Sequence, residues 1–292
     1  MIHVERAVLF CPPTNFFLSL CYNISIPPHD IYLILCFEYN LAAGGAQKFL
    51  GVQNYIKVFY DPIARGSVFF TAFITVMGII IETLLGLLLA LLVIGVKGER
   101  VMRLCFLIPM TIPMAVSGMI WRMLFNTTFG PINYFLSLFG ISRISWMGDP
   151  FFAPLTILIV DIWQWTPFVF LILYAGLKSI PPVYVEAAMV DGADEWRLTR
   201  YIRLPMLRDL IMVVVLLRSI DLLKLFDSVY MITGGGPGTT TYTFSYLIYQ
   251  VGFITGINLG YASALSVILL IVIMLLTTVL IRVLNIRRLL RG

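Results

Sequence analysis

Long apolar runs, broken only by short gaps that carry basic residues, constrain this chain more than any other feature. Val68 to Val96 holds one acidic residue, Glu82, in an otherwise continuous apolar stretch, and Tyr261 to Leu284 is apolar as far as Arg282. About 20 apolar residues at 1.5 Å rise each cross a hydrocarbon core of about 30 Å. Within that core every backbone N–H and C=O must be satisfied by the segment itself, which favours helices. A soluble domain carries about 25% charged residues; this chain has 12% charged and 60% apolar residues. The expected class is all-α: a polytopic membrane protein.

Six spans are predicted. The first, Ala7 to Phe37, holds Pro12, Pro13, Pro27 and Pro28 and is expected to be bent, because proline removes a backbone donor. A polar stretch from Glu38 to Arg65 follows, in which FLGVQNYIKVF reads as a short structured loop. The second span is Val68 to Val96. The third, Val101 to Phe125, carries Pro109 and Pro113 in IPMTIP and is expected to be broken or bent and held by neighbouring helices. The fourth is Phe151 to Leu177, containing DIWQWTPF. The fifth, Ile211 to Ile232, stops at GGGPG, which neither a helix nor a strand tolerates. Thr239 to Gly260 reads as a loop, and the sixth span is Tyr261 to Leu284. Lys and Arg gather on one side, at Lys97, Arg100, Arg103, Lys178 and the run from Arg197 to Arg208, so that side and both termini are expected to be cytoplasmic.

Charges inside the spans identify candidate functional residues. Arg218, Asp221, Lys224 and Asp227 follow one another at intervals of three with alternating sign. Each central charge costs about 2.5 to 3.5 kcal/mol to place in lipid, so this face must pair internally, line a wet path, or do both. In the fourth span Asp161 and Gln164 lie beside Trp163, Trp165 and Phe168. Aromatic faces with flanking hydrogen-bonding groups suit sugar rings, whose C–H faces stack while their hydroxyls need partners.

Other chemistries find no support in the residues. The net charge of +5 is scattered through inter-span gaps and forms no nucleic-acid face. The four cysteines show no C-x-x-C spacing and the two histidines are peripheral, so no metal site is expected. GGGPGTTT lacks the lysine of a phosphate-binding loop and follows no strand. No catalytic constellation is present.

One polar island remains, EAAMVDGADEWRLTRYIRLP, from Glu186 to Pro205. Its spacing, EAA-x3-G-x9-I-x-LP, matches the permease subunits of bacterial and archaeal ATP-binding-cassette importers. The resemblance extends to FLGVQNYIKVF, WQWTPF, FDSVYMITGGGPGTTT and GYASALSV, and together these are similar to the sugar-importing branch, in particular to its maltose-transporter-type first permease. It implies a type I importer fold, with residues 1–67 as a first kinked span and external loop, and 68–292 as a five-helix core whose cytoplasmic coupling loop occupies 178–210. It also implies a multi-pass protein of the bacterial or archaeal cell membrane, paired with a second permease, driven by two ATPase subunits and supplied by an external sugar-binding protein. ATP and Mg would be used by those ATPases, and this chain would bind no cofactor.

By the same resemblance, Glu186, Ala187, Ala188, Gly192, Ile202, Leu204 and Pro205 belong to the ATPase-coupling element, a short helix docking in an ATPase groove. Glu186 to Ala188 would give a helix with a narrow face, and Gly192 would end it before a second begins near Asp194. Arg197, Arg200 and Arg203 would lie in later turns of that second helix, anchoring it at the membrane surface. The substrate path falls on Trp165, Phe168, Arg218, Asp221, Leu222, Leu225 and Ser117, beside the Asp161 and Gln164 already singled out. Charges at several of these places, where maltose-type permeases often have neutral residues, imply a sugar other than maltose. The competing reading is a proton-coupled secondary transporter using Glu82, Asp161 and the fifth-span carboxylates. It leaves the Glu186 to Pro205 spacing unexplained.

Overall fold

The computed structural model describes residues 37–40, 45–255 and 258–283. The predicted first span, save its last residue Phe37, and both chain termini lie outside these residues. The regular structure among the described residues is helical apart from a two-stranded antiparallel pair, β1 (Phe37–Asn40) and β2 (Gly45–Phe49), in whose register Phe37 pairs with Phe49. It divides into two compact units, Met1–Arg65 with Leu247–Ile271, and Gly66–Tyr246 with Val272–Gly292.

In the first unit FLGVQNYIKVF is more than a loop: it contains helix α1 (Gln53–Tyr60). Asp61 follows it, and its Oδ1 accepts the Ile63 N–H at 2.9 Å while its Oδ2 accepts the Tyr261 hydroxyl at 2.8 Å. Lys57 lies 4.6 Å from the centre of the same tyrosine ring. A capping carboxylate followed by proline is a strong helix start, and α2 (Pro62–Val93) begins there, six residues before the apolar run proper.

The third span is broken as expected, into α3 (Glu99–Thr111) and α4 (Met114–Leu124), which meet at 93°. Pro113 has no N–H to continue α3, and Ile112 before it is extended, as residues preceding proline tend to be (φ −84°, ψ 129°). The Asn126 to Pro150 loop contains a short helix, α5 (Pro131–Leu138). Its Asn133 is a hub: Oδ1 accepts from the Ile144 N–H at 3.2 Å and the Trp146 indole at 3.0 Å, while Nδ2 donates to the Ile144 carbonyl at 2.9 Å.

Helix α6 (Phe152–Ser179) runs unbroken through Pro167 and is the centre of the second unit. Of its most apolar window 56% is buried, against 28% for α2 and 11% for the last helix, α11 (Leu259–Val283). Val169, Phe170, Leu173, Tyr174 and Leu177 of α6 form a core with Ala90 and Val93 of α2 and with Leu207 and Val214 further along the chain. The helices approach closely where a side chain is missing. A Cβ on Gly86 would lie 2.6 Å from Val169 Cγ1 and 3.0 Å from the Phe170 backbone nitrogen. Gly86→Ala is therefore expected to push α2 from α6 and cost about 1 to 3 kcal/mol, read as a lower thermal midpoint in detergent; an unchanged midpoint would refute this crossing.

After α6 come α7 (Pro182–Val190), α8 (Glu195–Leu198), one π-helical turn (Thr199–Arg203) and α9 (Leu204–Leu223). Pro205 has no N–H for the carbonyl four residues earlier, and the chain takes the wider turn just before it. The fifth span thus begins seven residues before the predicted Ile211, and as a regular helix it stops at Leu223. A π-helical turn (Val229–Thr233) precedes Gly234, Gly235 and Gly238, which have φ of 59°, 84° and 60°. Only glycine adopts such values cheaply. The predicted 239–260 loop contains α10 (Phe244–Tyr249) and a further π-helical turn (Gln250–Ile254). Three described helices are long and apolar enough to cross a membrane, or four if α3 and α4 form one broken span. Helix α9 fails that criterion because of its charges.

Candidate functional site

Three charged side chains from three helices meet inside the second unit. Arg218 of α9 is 2% exposed, Glu82 of α2 is 0% and Asp161 of α6 is 1%. The guanidinium grips Glu82 with two bonds, Nε to Oε2 at 2.6 Å and Nη2 to Oε1 at 2.9 Å, and Nη2 also donates to Asp161 Oδ2 at 2.8 Å. A planar fork against a carboxylate is the geometry that arginine supplies and lysine cannot. The Arg218 Cζ lies 4.9 Å from the Trp165 ring centre, so the cation is also stacked on an aromatic face.

The charge ladder reaches outward from this triad. Asp221 Oδ2 lies 3.9 Å from Arg218 Nη1, and Asp221 Oδ1 lies 3.7 Å from Lys224 Nζ. The side chains of Asp221 and Lys224 are 45% and 54% exposed. The expected four-residue face is not continuous, however. Lys224 caps α9, and residues 225 and 226 are non-helical, so Asp227 belongs to the next turn. The Thr243 hydroxyl, donating to the Leu225 carbonyl at 2.7 Å, satisfies the backbone that the break frees.

One helical turn from Asp161, Gln164 donates through Nε2 to the Ile112 carbonyl at 2.5 Å. This is the carbonyl at the break between α3 and α4, so the polar residue in α6 and the prolines of IPMTIP serve one another. Ser117 Oγ, Gln164 Oε1 and Asp161 Oδ1 are buried with no protein partner. Trp165 and Phe168 are half-buried, edge to face at 6.2 Å, and Phe168 also packs on the α6 core. Leu222 and Leu225 are buried, and Leu222 lies against α2, where a Cβ on Gly78 would meet it at 3.0 Å. The structure thus gathers Asp161, Trp165, Arg218 and Asp221 into one cluster, sets Gln164 at the helix break, and leaves the Ser117 hydroxyl buried in α4 without a hydrogen-bond partner. Glu82, absent from the expected path residues, is the strongest partner of Arg218. Its solitary position in an apolar run was the available signal, since a buried carboxylate needs a cation.

The second site is the island between α6 and α9. Pro182 starts α7 from the first position, where its missing N–H costs nothing. Glu186 and Ala187 are exposed and Ala188 is half-buried. The helix ends in a Schellman arrangement. Ala193 N–H bonds the Ala188 carbonyl at 2.9 Å, Gly192 N–H bonds the Met189 carbonyl at 3.1 Å, and Gly192 has φ of 75°. The interval from Ala188 to Gly192 is the interval this cap requires. Asp194 then caps α8 by accepting the Arg197 N–H at 2.8 Å. Val183, Ala187 and Val190 share a face of α7, and Val183 and Val190 are 69% and 87% exposed. Exposed apolar side chains grouped in this way mark a contact surface.

The second expected helix begins after Asp194 as α8 and continues through the π-helical turn into α9, so Arg197, Arg200 and Arg203 lie in its successive turns. Arg203 is held by Glu195 at 2.8 Å, Arg200 lies over the Tyr201 ring at 5.9 Å, and Arg197 is exposed. Ile202 and Leu204 are half-buried, and Pro205 is exposed in the first turn of α9.

Apolar spanning helices around a buried charge cluster, with a capped apolar helix projecting from their connecting segment, define a membrane transport subunit. Residues 82–289 match the family described as binding-protein-dependent transport system inner membrane component, and the chain belongs to that family. It is 36% identical over 246 residues to the trehalose/maltose transport system permease protein MalF of Thermococcus litoralis, covering 83% of this chain and 82% of that one. It is also 36% identical over 280 residues to the sulfoquinovosyl glycerol transport system permease protein SmoG of Agrobacterium fabrum, covering 96% and 90%. A bacterial ABC transporter involved in the import of the acidic polysaccharide alginate has a chain of the same fold, with a TM-score of 0.80 at 20% identity over 92% of this chain and 93% of that one. The chain is therefore an inner-membrane permease component of an ABC importer.

Proposed function

We propose that this chain is the permease subunit of an ATP-driven carbohydrate importer, forming the translocation path with a second permease. Two ATPase subunits would drive the pair, one of them docking on the exposed face of α7, and an external binding protein would deliver the sugar. ATP and Mg would be bound by the ATPases, and this chain would carry neither a cofactor nor a metal. The observation that carries the sugar reading is 36% identity across most of the chain to two permeases named for sugar transport. The proton-coupled alternative loses its footing with membership of a binding-protein-dependent family.

Within that reading, Trp165, Phe168 and the exposed Asp221 wall the path, while Asp161, Gln164, Arg218, Leu222, Leu225 and Ser117 shape it from behind. Glu186, Ala187, Ala188 and Gly192 form the ATPase contact, and Ile202, Leu204 and Pro205 set the entry into α9. The test is uptake of labelled sugar by vesicles containing the whole assembly, with ATP supplied on the cytoplasmic side. Uptake is expected to require ATP and to survive a protonophore; the reverse pattern would overturn the proposal. Asp221→Ala, at an exposed position, is expected to reduce uptake by about tenfold at unchanged membrane abundance and to leave sugar affinity of the binding protein unchanged. Full uptake by this variant would remove Asp221 from the path.

A further inference from the structure

A second cluster of charges joins the turn between α2 and α3 to the end of α6, and neither the substrate path nor the ATPase contact uses it. Its centre is Glu99, the first residue of α3. One carboxylate oxygen, Oε2, accepts the Gly95 N–H at 3.0 Å. The other, Oε1, accepts the Tyr174 hydroxyl and lies 3.0 Å from Lys178 Nζ. Tyr174 and Lys178 are one turn apart on α6, so they present their polar ends from the same face. The Tyr174 ring is flanked by two cations, with Arg103 Cζ at 5.4 Å and Lys178 Nζ at 5.9 Å from its centre. One turn further along α3, Phe106 packs edge-on against Phe170 at 5.6 Å.

A lone ion pair at a surface contributes little. Glu99 differs because three donors converge on it, from the α2–α3 turn and from two successive turns of α6, one of them through a buried tyrosine. The placement matters as much as the contacts. Lys178 is the penultimate residue of α6, and only Ile180 and Pro181 separate Ser179 from Pro182, where α7 begins. Proline fixes φ at Pro181 and Pro182, so this link is short and stiff. Whatever holds the last turn of α6 also holds the root of α7.

We infer that Glu99 is a positioning residue for coupling: its clamp on Tyr174 and Lys178 makes α3 and the end of α6 move as one block when α7 is displaced. Without it, motion of α7 would be absorbed locally at the end of α6 and would not reach α3, the helix whose break at Ile112 is held by Gln164. The inference rests on the reading of α7 as the ATPase contact.

The experiment uses the whole transporter in proteoliposomes and measures sugar moved per ATP hydrolysed. Glu99→Gln is expected to lower this ratio about tenfold, within the usual range of coupling between sites, while ATP hydrolysis stimulated by the binding protein stays within about twofold. Tyr174→Phe, which keeps the ring, should lower it about threefold. Lys178→Met, which removes one of the three donors and leaves the carboxylate with the other two, should lower it about threefold. A normal ratio in Glu99→Gln overturns the inference. So does a loss of membrane abundance shared by Glu99→Gln and Tyr174→Phe, which would make the clamp purely structural. Glu186→Lys is measured alongside. A normal ratio in that variant removes the coupling reading of α7 itself, whereas an uncoupled Glu186→Lys beside a normal Glu99→Gln removes only the clamp.

Discussion

Arg218→Met is expected to lower the thermal midpoint and the membrane abundance of this permease sharply. The substitution leaves Glu82 and Asp161 buried with no cation between them, and both oxygens of Glu82 lose their donors. Breaking a buried pair by removing one partner costs about 3 to 5 kcal/mol, because the remaining charge is uncompensated. That is a large share of a typical stability of about 5 to 15 kcal/mol. The measurement is membrane abundance together with the thermal midpoint in detergent.

The triad as a whole need not stabilise. Desolvating three charges offsets much of their mutual attraction, and apolar replacement of a complete buried cluster is often neutral or better. Combining Arg218→Met with Glu82→Met and Asp161→Val is therefore expected to recover most of the lost stability. Sugar uptake should not return with it, since Trp165 and Asp221 then lose the cation that organises them. If Arg218→Met were as abundant and as stable as the parent, the buried triad would not hold α2, α6 and α9 together. If the triple variant transported normally, the cluster would have no part in the path.

The other large effect is expected at Gly192. Proline there demands φ near −65° where the chain has 75°, and it removes the N–H that bonds the Met189 carbonyl. The cap of α7 cannot form and the direction in which α8 leaves it changes. Sugar uptake in Gly192→Pro should fall by more than about tenfold, in line with losing a coupling interaction. Membrane abundance should hold, because Gly192 is exposed and a Cβ there would meet nothing within 4 Å. Gly192→Ala isolates the backbone term. It keeps the N–H and adds only the left-handed penalty of about 1 to 2 kcal/mol, so its uptake should lie between the two. Normal uptake in Gly192→Pro would contradict a coupling role for α7.

Glu186→Lys approaches the same helix through its surface. The side chain is exposed and the helix cap is untouched, so any loss of transport reports on the docking face and leaves the fold aside.

Much of this architecture is a local property of the residues. The apolar runs at 68–96, 151–177 and 261–284 became α2, α6 and α11 with small changes of boundary, because burial in lipid depends on composition over a helix length. IPMTIP broke the third span because proline removes a donor wherever it stands. Gly192 ended α7 because a left-handed cap needs glycine. Boundaries failed where a neighbouring segment decided them. Asp61 and Pro62 started α2 before its apolar stretch, and the Leu225 carbonyl could leave α9 early because Thr243 was there to bond it.

The candidate site was legible only in its inventory. Spacing by three joins Arg218 to Asp221 and Asp221 to Lys224, and those contacts exist at 3.9 Å and 3.7 Å. The shorter bonds reach 136 residues back to Glu82 and 57 to Asp161. Helical periodicity identifies neighbours along one helix; it carries no information about which helix will lie alongside. Residue type and position alone required that four charges in one apolar span, and one carboxylate in each of two others, find partners, because an unpaired charge in a low-dielectric interior is too costly to keep. Only the packing of α2 and α9 on α6, set by close approaches such as that at Gly86, decided that Glu82 and Asp161 would be the partners of Arg218.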